Sequence, residues 1–162
     1  MNRINKVTLF VLASEIAGNI GMIFAITAIP NWYSGLVKPS FNPPNWLFGP
    51  VWITLFALMG ISAFLVLEQG TGRRDARIAL SVFCLQFVLN ALCNYLFFGL
   101  YGISYGLVDT ILLWGTIAAN IFLFYRVSRA TGFLLFPYIF WVTITICVKR
   151  DAVLRHQWID AL

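Results

Sequence analysis

The chain has 162 residues, of which 60% are hydrophobic and only 10% are charged, and its net charge is +5 at neutral pH. Soluble domains carry about 25% charged residues, and a chain of this length is enough for one domain. A water-soluble fold of this size buries only about two-thirds of its surface, which is too little to hide so much apolar area. The composition therefore excludes a soluble globular protein and predicts a chain whose solvent is largely lipid.

Five apolar stretches follow one another along the chain, and each has about the length, roughly 17–25 residues, that crosses a hydrocarbon core as a helix. They cover residues 7–29, 46–67, 78–100, 105–125 and 132–148. Helices are expected because every backbone polar group in lipid needs a partner inside the protein. The sequence thus predicts an all-α fold: a single domain over residues 1–162, formed by five transmembrane helices, with a loop at 30–45.

The basic residues predict how this bundle lies in the membrane. With five spans, the N-terminus and the second and fourth loops share one side, which holds seven Lys and Arg residues against four on the other. Because Lys and Arg favour the cytoplasmic face, the N-terminus is predicted to be cytoplasmic in a prokaryotic plasma membrane. The basic residues are scattered rather than clustered with aromatics, so no nucleic-acid partner is expected.

Residues able to carry metal or hydrolytic chemistry are few. Cys84, Cys93 and Cys147 fall within apolar spans, where they serve as small packed hydrophobes, and His156 lies in the polar tail. The sequence has no Cys/His pairs at ligand spacing, and no Ser or Cys nucleophile accompanied by a base within the membrane. We expect no metal site, no hydrolytic activity and no required cofactor.

Aromatic residues make up 17% of the chain, and two tryptophans lie deeper than the usual interfacial belt. At about 1.5 Å per helical residue, Trp52 and Trp141 both lie roughly 9–11 Å below one membrane surface, the one that carries the first and third loops. By the same rise, Asn90 lies about 15 Å and Leu112 about 10 Å below that surface. Depth alone therefore pairs Trp52 with Trp141.

Polar residues recur every fourth position on two of the predicted helices and so share one face of each. The two stripes are Gln86, Asn90 and Asn94 on the third helix and Trp141, Thr145 and Lys149 on the fifth. Polar groups in membrane helices normally face inward, so the stripes predict a ligand cavity with aromatic walls and amide groups. For Gln86, a hydrogen bond to a neighbouring helix, worth about 0.6 kcal/mol, explains the residue equally well.

The first loop is rich in proline and aromatic residues, and positions 32 to 52 read WYSGLVKPSFNPPNWLFGPVW. Prolines stiffen the loop and push preceding residues out of helix. Asn42 is placed to cap a helix that begins with Pro43 and Pro44. We predict a rigid lid over the cavity mouth, formed by Trp32, Tyr33, Pro43, Pro44 and Trp46.

The chain resembles the tryptophan-rich sensory protein family, also called the translocator protein or peripheral benzodiazepine receptor family. The motifs that carry the resemblance are this loop and the segments Gln86…Leu89-Asn90, Phe97-Phe98-Gly99, Leu112-Leu113-Trp114 and Pro137-Tyr138…Trp141-Val142. The resemblance implies a receptor-like five-helix membrane protein, commonly a homodimer, that binds porphyrins such as protoporphyrin IX, or other hydrophobic ligands, under the first loop. It also implies a role in sensing, transport or regulation, and a mitochondrial outer-membrane location in a eukaryote.

The resemblance also implies which residues form the pocket. The family's ligand-binding positions correspond here to Phe48, Trp52, Asn90, Cys93, Phe97, Tyr105, Leu112, Trp141, Thr145 and Val148. The two tryptophans implicated in light- and oxygen-dependent porphyrin degradation in this family correspond to Trp52 and Trp141. This correspondence supplies an alternative in which the protein is a porphyrin-degrading enzyme.

The chain departs from the family pattern in the pocket. Cys93 stands where the family usually has tryptophan, Thr145 where it has alanine, and Val148-Lys149 where it has a Leu-Asn pair. The sterol motif of animal members needs a tyrosine that does not follow Val148 here, so cholesterol is not the expected ligand. We expect Lys149 to alter which anionic groups the pocket mouth accepts.

Asp109 is a charged residue inside the fourth predicted span. We interpret it as a first-turn residue, where the helix dipole favours a negative charge. An ion pair with Lys149, on the same side of the membrane, is the alternative.

Small residues on the first helix suggest a contact surface. Ala13, Ala17, Gly21 and Ala25 recur every fourth residue, and small side chains let membrane helices approach closely. The strip either joins two protomers of a homodimer or packs inside one protomer.

Overall fold

The fold is given by a computed structural model that describes residues 2–36, 39–70 and 74–159, with side chains through residue 155. These residues are helical apart from short connections and include no strand. The α-helices are α1 (Arg3–Asn19), α2 (Met22–Ala28), α3 (Asn45–Glu68), α4 (Arg74–Asn94), α5 (Ile103–Val127), α6 (Arg129–Phe133) and α7 (Phe136–Ile159). Two π-helical turns, Ile29–Tyr33 and Tyr95–Gly99, continue α2 and α4.

Several helical segments are long and apolar enough to cross a membrane. Four do so singly: Asn45–Glu68, Arg74–Gly99, Ile103–Val127 and Arg129–Arg155. A fifth crossing results if Arg3–Asn19 and Met22–Tyr33, which meet at an angle of 46°, form one bent span. The predicted all-α integral membrane bundle is therefore confirmed.

The last helix continues well past residue 148, where the sequence suggested that it ends. Helix α7 extends to Ile159, and its first charged residue, Lys149, is buried against the bundle. Beyond Lys149, Asp151 and Arg155 form an ion pair four residues apart along the helix surface, which is compatible with continued helix.

The first loop begins later than the predicted residue 30. The π-helical turn Ile29–Tyr33 carries the helix into this segment, and its wider hydrogen-bonding pattern accommodates Pro30, which has no N–H group. The prediction that Asn42 caps the next helix is wrong, because Pro44 occupies the N-cap position of α3. The Asn42 side chain instead accepts a hydrogen bond from the Tyr33 hydroxyl at 2.9 Å and so closes the loop on itself.

Glycines allow the closest helix contacts. A Cβ atom on Gly60 of α3 would lie 2.7 Å from the Val11 Cα and 2.8 Å from the Phe10 carbonyl oxygen, so the backbones of α1 and α3 touch. Gly18 of α1 lies against the ring of Phe56, where an added Cβ would approach within 2.4 Å. Backbone contact of this kind is how small residues hold membrane helices together.

Polar side chains link the other helices through the core. The amides of Gln86 on α4 and Asn120 on α5 lie 2.9 Å apart, and both residues are fully buried. The Ser62 hydroxyl of α3 donates to the Thr131 carbonyl of α6 at 2.7 Å. Gln86 therefore joins helices, which is the simpler of the two interpretations that its sequence position left open.

The strip of small residues on the first helix is divided between inside and outside. Ala13 is exposed, whereas Gly21 and Ala25 are buried. Gly21 packs on Asn94, whose Cβ would lie 2.8 Å from an added Cβ. The bend between α1 and α2 turns the later part of the strip inward, so the strip as a whole does not form an external dimer face.

The contact at Gly60 generates a stability prediction. Gly60→Ala should lower the free energy of unfolding by about 1–3 kcal/mol, since backbone atoms of α1 cannot move aside cheaply. Gly115→Ala is the matched control, because no atom in the described part of the chain lies within 4 Å of the Cβ it adds on an exposed helix face. Thermal unfolding of both variants in detergent checks the prediction, and equal effects would contradict it.

Candidate ligand cavity

A cavity of about 60 Å³ lies beneath the first loop, between the loop-side ends of α3, α4 and α5 and the middle of α7. Most of its wall is aromatic or aliphatic, with amide, hydroxyl, thiol and ammonium groups among these. The lining residues are Tyr33, Pro43, Phe48, Trp52, Asn90, Cys93, Asn94, Phe97, Phe98, Thr110, Leu113, Trp141, Val142, Ile144, Thr145, Val148 and Lys149.

Aromatic rings form the wall through edge-to-face contacts. The ring of Phe48 lies 5.7 Å from that of Trp141 and 6.2 Å from that of Tyr33, at steep interplanar angles. Trp52 stacks on Phe56 at 5.3 Å, which fixes its indole ring at the cavity wall. Such pairs are favoured by the ring quadrupole, and they hold the aromatic side chains of the wall against one another.

Two buried polar atoms at the cavity lack a partner among the described residues. Asn90 donates from its Nδ2 atom to the Tyr138 hydroxyl at 3.2 Å, but its Oδ1 atom accepts no hydrogen bond there. The indole Nε1 of Trp141 also finds no acceptor in the described chain, although Trp141 is only 7% exposed. An unsatisfied buried polar group costs about 1–3 kcal/mol, so these atoms are suited to a bound ligand.

Lys149 brings an ammonium group into the cavity wall while remaining only 5% exposed. Its Nζ atom donates to Thr110 Oγ1 at 2.8 Å and to Cys93 Sγ at 3.0 Å, and it lies 3.4 Å from the Gly106 carbonyl oxygen. The same atom lies 4.4 Å from the centre of the Phe97 ring. Every one of these contacts is with an uncharged group.

Most of the ligand-binding positions implied by the family resemblance come together at the cavity. Those that line it are Phe48, Trp52, Asn90, Cys93, Phe97, Trp141, Thr145 and Val148. Tyr105 and Leu112 do not, since their side chains are 70% and 57% exposed on the outer face of α5.

The register of α5 explains why Tyr105 and Leu112 lie away from the cavity. Gly106 faces the bundle because a Cβ there would lie 2.8 Å from the Phe97 Cβ, a contact that only glycine permits. Leu113 follows it two turns later on the same face and lines the cavity. The inward positions are thus one residue beyond the predicted ones.

The predicted lid residues take different positions. Tyr33 and Pro43 line the cavity, whereas Trp46 is 72% exposed and Pro44 is exposed as well. Trp32 stands behind the cavity wall, 5.3 Å from the Phe97 ring. Only part of the predicted lid therefore touches the cavity.

Some lining residues were missed by the sequence reasoning. The fourfold spacing from Trp141 had placed Lys149 on the inward face without including it in the pocket. Thr110 and Leu113 had no signal beyond the register of α5, which Gly106 determines. Asp109 is the seventh residue of α5 and is buried, so it is not the first-turn residue that was predicted, and it lies beyond the 4 Å ion-pair distance from Lys149.

The fold and this cavity define a multi-pass helical membrane protein with an aromatic, ligand-type cavity under its first loop. The chain is 36% identical to the translocator protein of Homo sapiens over 154 residues, which cover 92% of this chain and 89% of that protein. It is 40% identical to the tryptophan-rich protein TspO of Chlorobaculum tepidum over 78% of this chain and 80% of that one. It is 31% identical to a tryptophan-rich sensory protein of Cereibacter sphaeroides over 78% and 77%.

A family model described as the TspO/MBR family matches residues 10–154. With these relatives, the match shows that the chain belongs to the TspO/MBR family. The resemblance noted from the sequence motifs is thereby confirmed.

The unpartnered indole of Trp141 generates a prediction about the protein without ligand. Trp141→Phe removes an unsatisfied N–H group, whereas Trp114→Phe removes one that donates to Thr143 Oγ1 at 2.9 Å. The Trp141→Phe variant should therefore have a higher melting temperature than the Trp114→Phe variant. Burial alone would give the opposite order, because Trp141 is 7% and Trp114 39% exposed. Thermal unfolding of both variants in one detergent checks the order. The reverse order, which burial alone would give, would contradict it.

Proposed function

We propose that this protein is a sensory or regulatory membrane receptor that binds a porphyrin in the cavity beneath its first loop. The observation that carries the proposal is the pair of unpartnered polar atoms, Asn90 Oδ1 and Trp141 Nε1, at a cavity walled by aromatic rings. Flat apolar rings with a few fixed polar groups suit a flat apolar ligand with polar edges. The name of the Cereibacter sphaeroides relative supports the sensory role.

Size requires the cavity to open when a ligand enters. Its volume of about 60 Å³ is far below the roughly 300–1,000 Å³ of small-molecule pockets. The first loop is the segment we expect to give way, because its Pro43 lines the cavity and its Asn42 is held to Tyr33, at the end of the π-helical turn, by a hydrogen bond. We therefore retain the lid role for this part of the loop, with the Tyr33–Asn42 hydrogen bond as one of the contacts that hold it closed.

The distribution of Lys and Arg residues adds an orientation in the membrane to this proposal. With seven Lys and Arg residues on the N-terminal side against four, the N-terminus is cytoplasmic in a prokaryotic plasma membrane. The loop and the cavity mouth then face outward, so the ligand reaches the cavity from the outer side of the membrane or from the outer leaflet.

A pair of adjacent residues tests the binding site. Leu113→Trp fills the cavity and should weaken protoporphyrin IX binding at least tenfold, from an expected affinity of about −7 to −8 kcal/mol. Leu112→Trp adds the same ring on the lipid-facing side and should leave the affinity within about twofold. Quenching of tryptophan fluorescence by added porphyrin measures both, and a single elution peak shows that each variant is folded.

Equal affinities of the two variants would place the porphyrin outside this cavity. Loss of binding in Leu112→Trp alone would do the same.

A second candidate function follows from the positions of two tryptophans. Trp52 and Trp141 both line the cavity, so a bound porphyrin would lie against two oxidisable indole rings. In this alternative the protein degrades the porphyrin when illuminated in the presence of oxygen.

Illumination separates the two functions. If the protein is an enzyme, the absorbance of bound porphyrin should fall in light and oxygen, and replacing both Trp52 and Trp141 by Phe should slow the fall at least tenfold. The loss of absorbance should be compared at equal bound porphyrin, with Trp114→Phe as a control outside the cavity. Loss at the rate of free porphyrin in all variants would leave binding as the function.

A further inference from the structure

Lys149 is an ammonium group held inside the bundle without a counter-ion in contact. The described residues contain two ion pairs, Arg3–Glu68 and Arg155–Asp151, and neither includes Lys149. Its hydrogen-bond partners are a hydroxyl, a thiol and a carbonyl, of which only Thr110 Oγ1 is both close, at 2.8 Å, and a strong acceptor. The charge is therefore solvated by neutral groups alone.

Burial of this kind is costly in a membrane protein. An ammonium group taken out of water costs several kcal/mol unless an opposite charge offsets the loss. The Phe97 ring at 4.4 Å returns only about 0.5–2 kcal/mol. Lysines in membrane helices usually extend their ammonium group toward water, and the side chain of the neighbouring Arg150 is exposed. That Lys149 is turned inward instead points to a partner that arrives in the cavity.

Among the acidic residues that the structure describes, Asp109 is the one that interacts electrostatically with Lys149. It lies on α5 between Gly106 and Thr110, is 3% exposed, and leaves its Oδ2 atom without a partner in the described chain. It acts on Lys149 from beyond ion-pair distance. When ionised, it weakens the positive potential at Nζ without occupying the coordination positions of the ammonium group.

We propose that Lys149 and Thr110 form a carboxylate subsite, which makes the cavity select anionic apolar ligands over neutral ones of the same shape. One ligand carboxylate would take the positions on Nζ now held by the weak acceptor Cys93 Sγ and by the Gly106 carbonyl at 3.4 Å. These acceptors are neutral, so a carboxylate in their place would add an opposite charge to bonds that now carry charge on the donor alone. The inference rests on the proposed function, since a porphyrin carries propionate carboxylates at the edge of its flat ring.

Two ligands of the same shape test this subsite. Protoporphyrin IX and its dimethyl ester share the ring but differ in the carboxylates. The full chain in lipid nanodiscs at neutral pH should bind the free acid at least tenfold more tightly than the ester. Lys149→Gln should bring the ratio of the two affinities near one, and Lys149→Arg should keep most of it because the charge remains.

Two further variants separate this subsite from a general surface charge. Arg150→Gln removes a positive charge from the next residue, on the exposed side of α7, and should leave the ratio within about twofold. Asp109→Asn removes the competing negative charge and should raise the ratio. Both variants keep the inference testable if Lys149→Gln proves unstable.

The outcomes distinguish the inference from the function on which it rests. Equal affinity of the parent for both porphyrins overturns the carboxylate subsite but leaves porphyrin binding in place. A preference that survives in Lys149→Gln, or that is lost equally in Arg150→Gln, also overturns it. Failure of the parent to bind either porphyrin overturns the proposed function and the inference together.

Discussion

The absence of water from the hydrocarbon core is the constraint on which this structure depends, because polar side chains there must find partners in the protein. Several do so across helices, and these pairs help to fix which faces meet: Ser62 with Thr131, Gln86 with Asn120, Asn90 with Tyr138 and Trp114 with Thr143. The buried side-chain atoms left unpaired within the described residues are Asn90 Oδ1, Asp109 Oδ2 and Trp141 Nε1. All three atoms lie at the cavity or beside it. The region in which buried polar atoms lack hydrogen-bond partners is therefore also the region suited to a ligand.

Glycine contacts determine the shape of that place. The backbones of α1 and α3 meet at Gly60, which holds the first helix against the bundle on the side away from the cavity. Gly106 lets α5 approach Phe97 so closely that the hydroxyl of Thr110, one turn later, comes within 2.8 Å of the Lys149 ammonium. The polar groups of the cavity therefore depend on a backbone contact that carries no chemistry of its own.

Two features could be predicted from the sequence, one from its composition and one from the spacing of residues within a helix. Hydropathy predicted the membrane bundle, and fourfold spacing correctly grouped Trp141 with Thr145 on the cavity face of α7. Spacing could not predict the rotation of α5 against its neighbours, which Gly106 sets, so it gave no check on Tyr105, which the family resemblance had assigned to the pocket and which is exposed. Nor could it predict the role of Asn42, which was expected to cap a helix and instead bonds Tyr33, because a loop contact depends on how the loop folds back.

The small volume of the cavity and the buried ammonium group of Lys149 together determine the energetic cost of ligand entry. A cavity of about 60 Å³ excludes a large ligand, and while it is closed, Lys149 has only neutral partners. A ligand that opens the loop side loses the ring contacts between Tyr33 and Phe48, which contribute about 0.5–1.5 kcal/mol. A carboxylate brought to Lys149 would offset part of this cost, because it supplies the opposite charge that the ammonium group lacks among its contacts. A neutral ligand of the same shape meets the same opening cost without that gain, so the lysine makes opening itself depend on the charge of what enters.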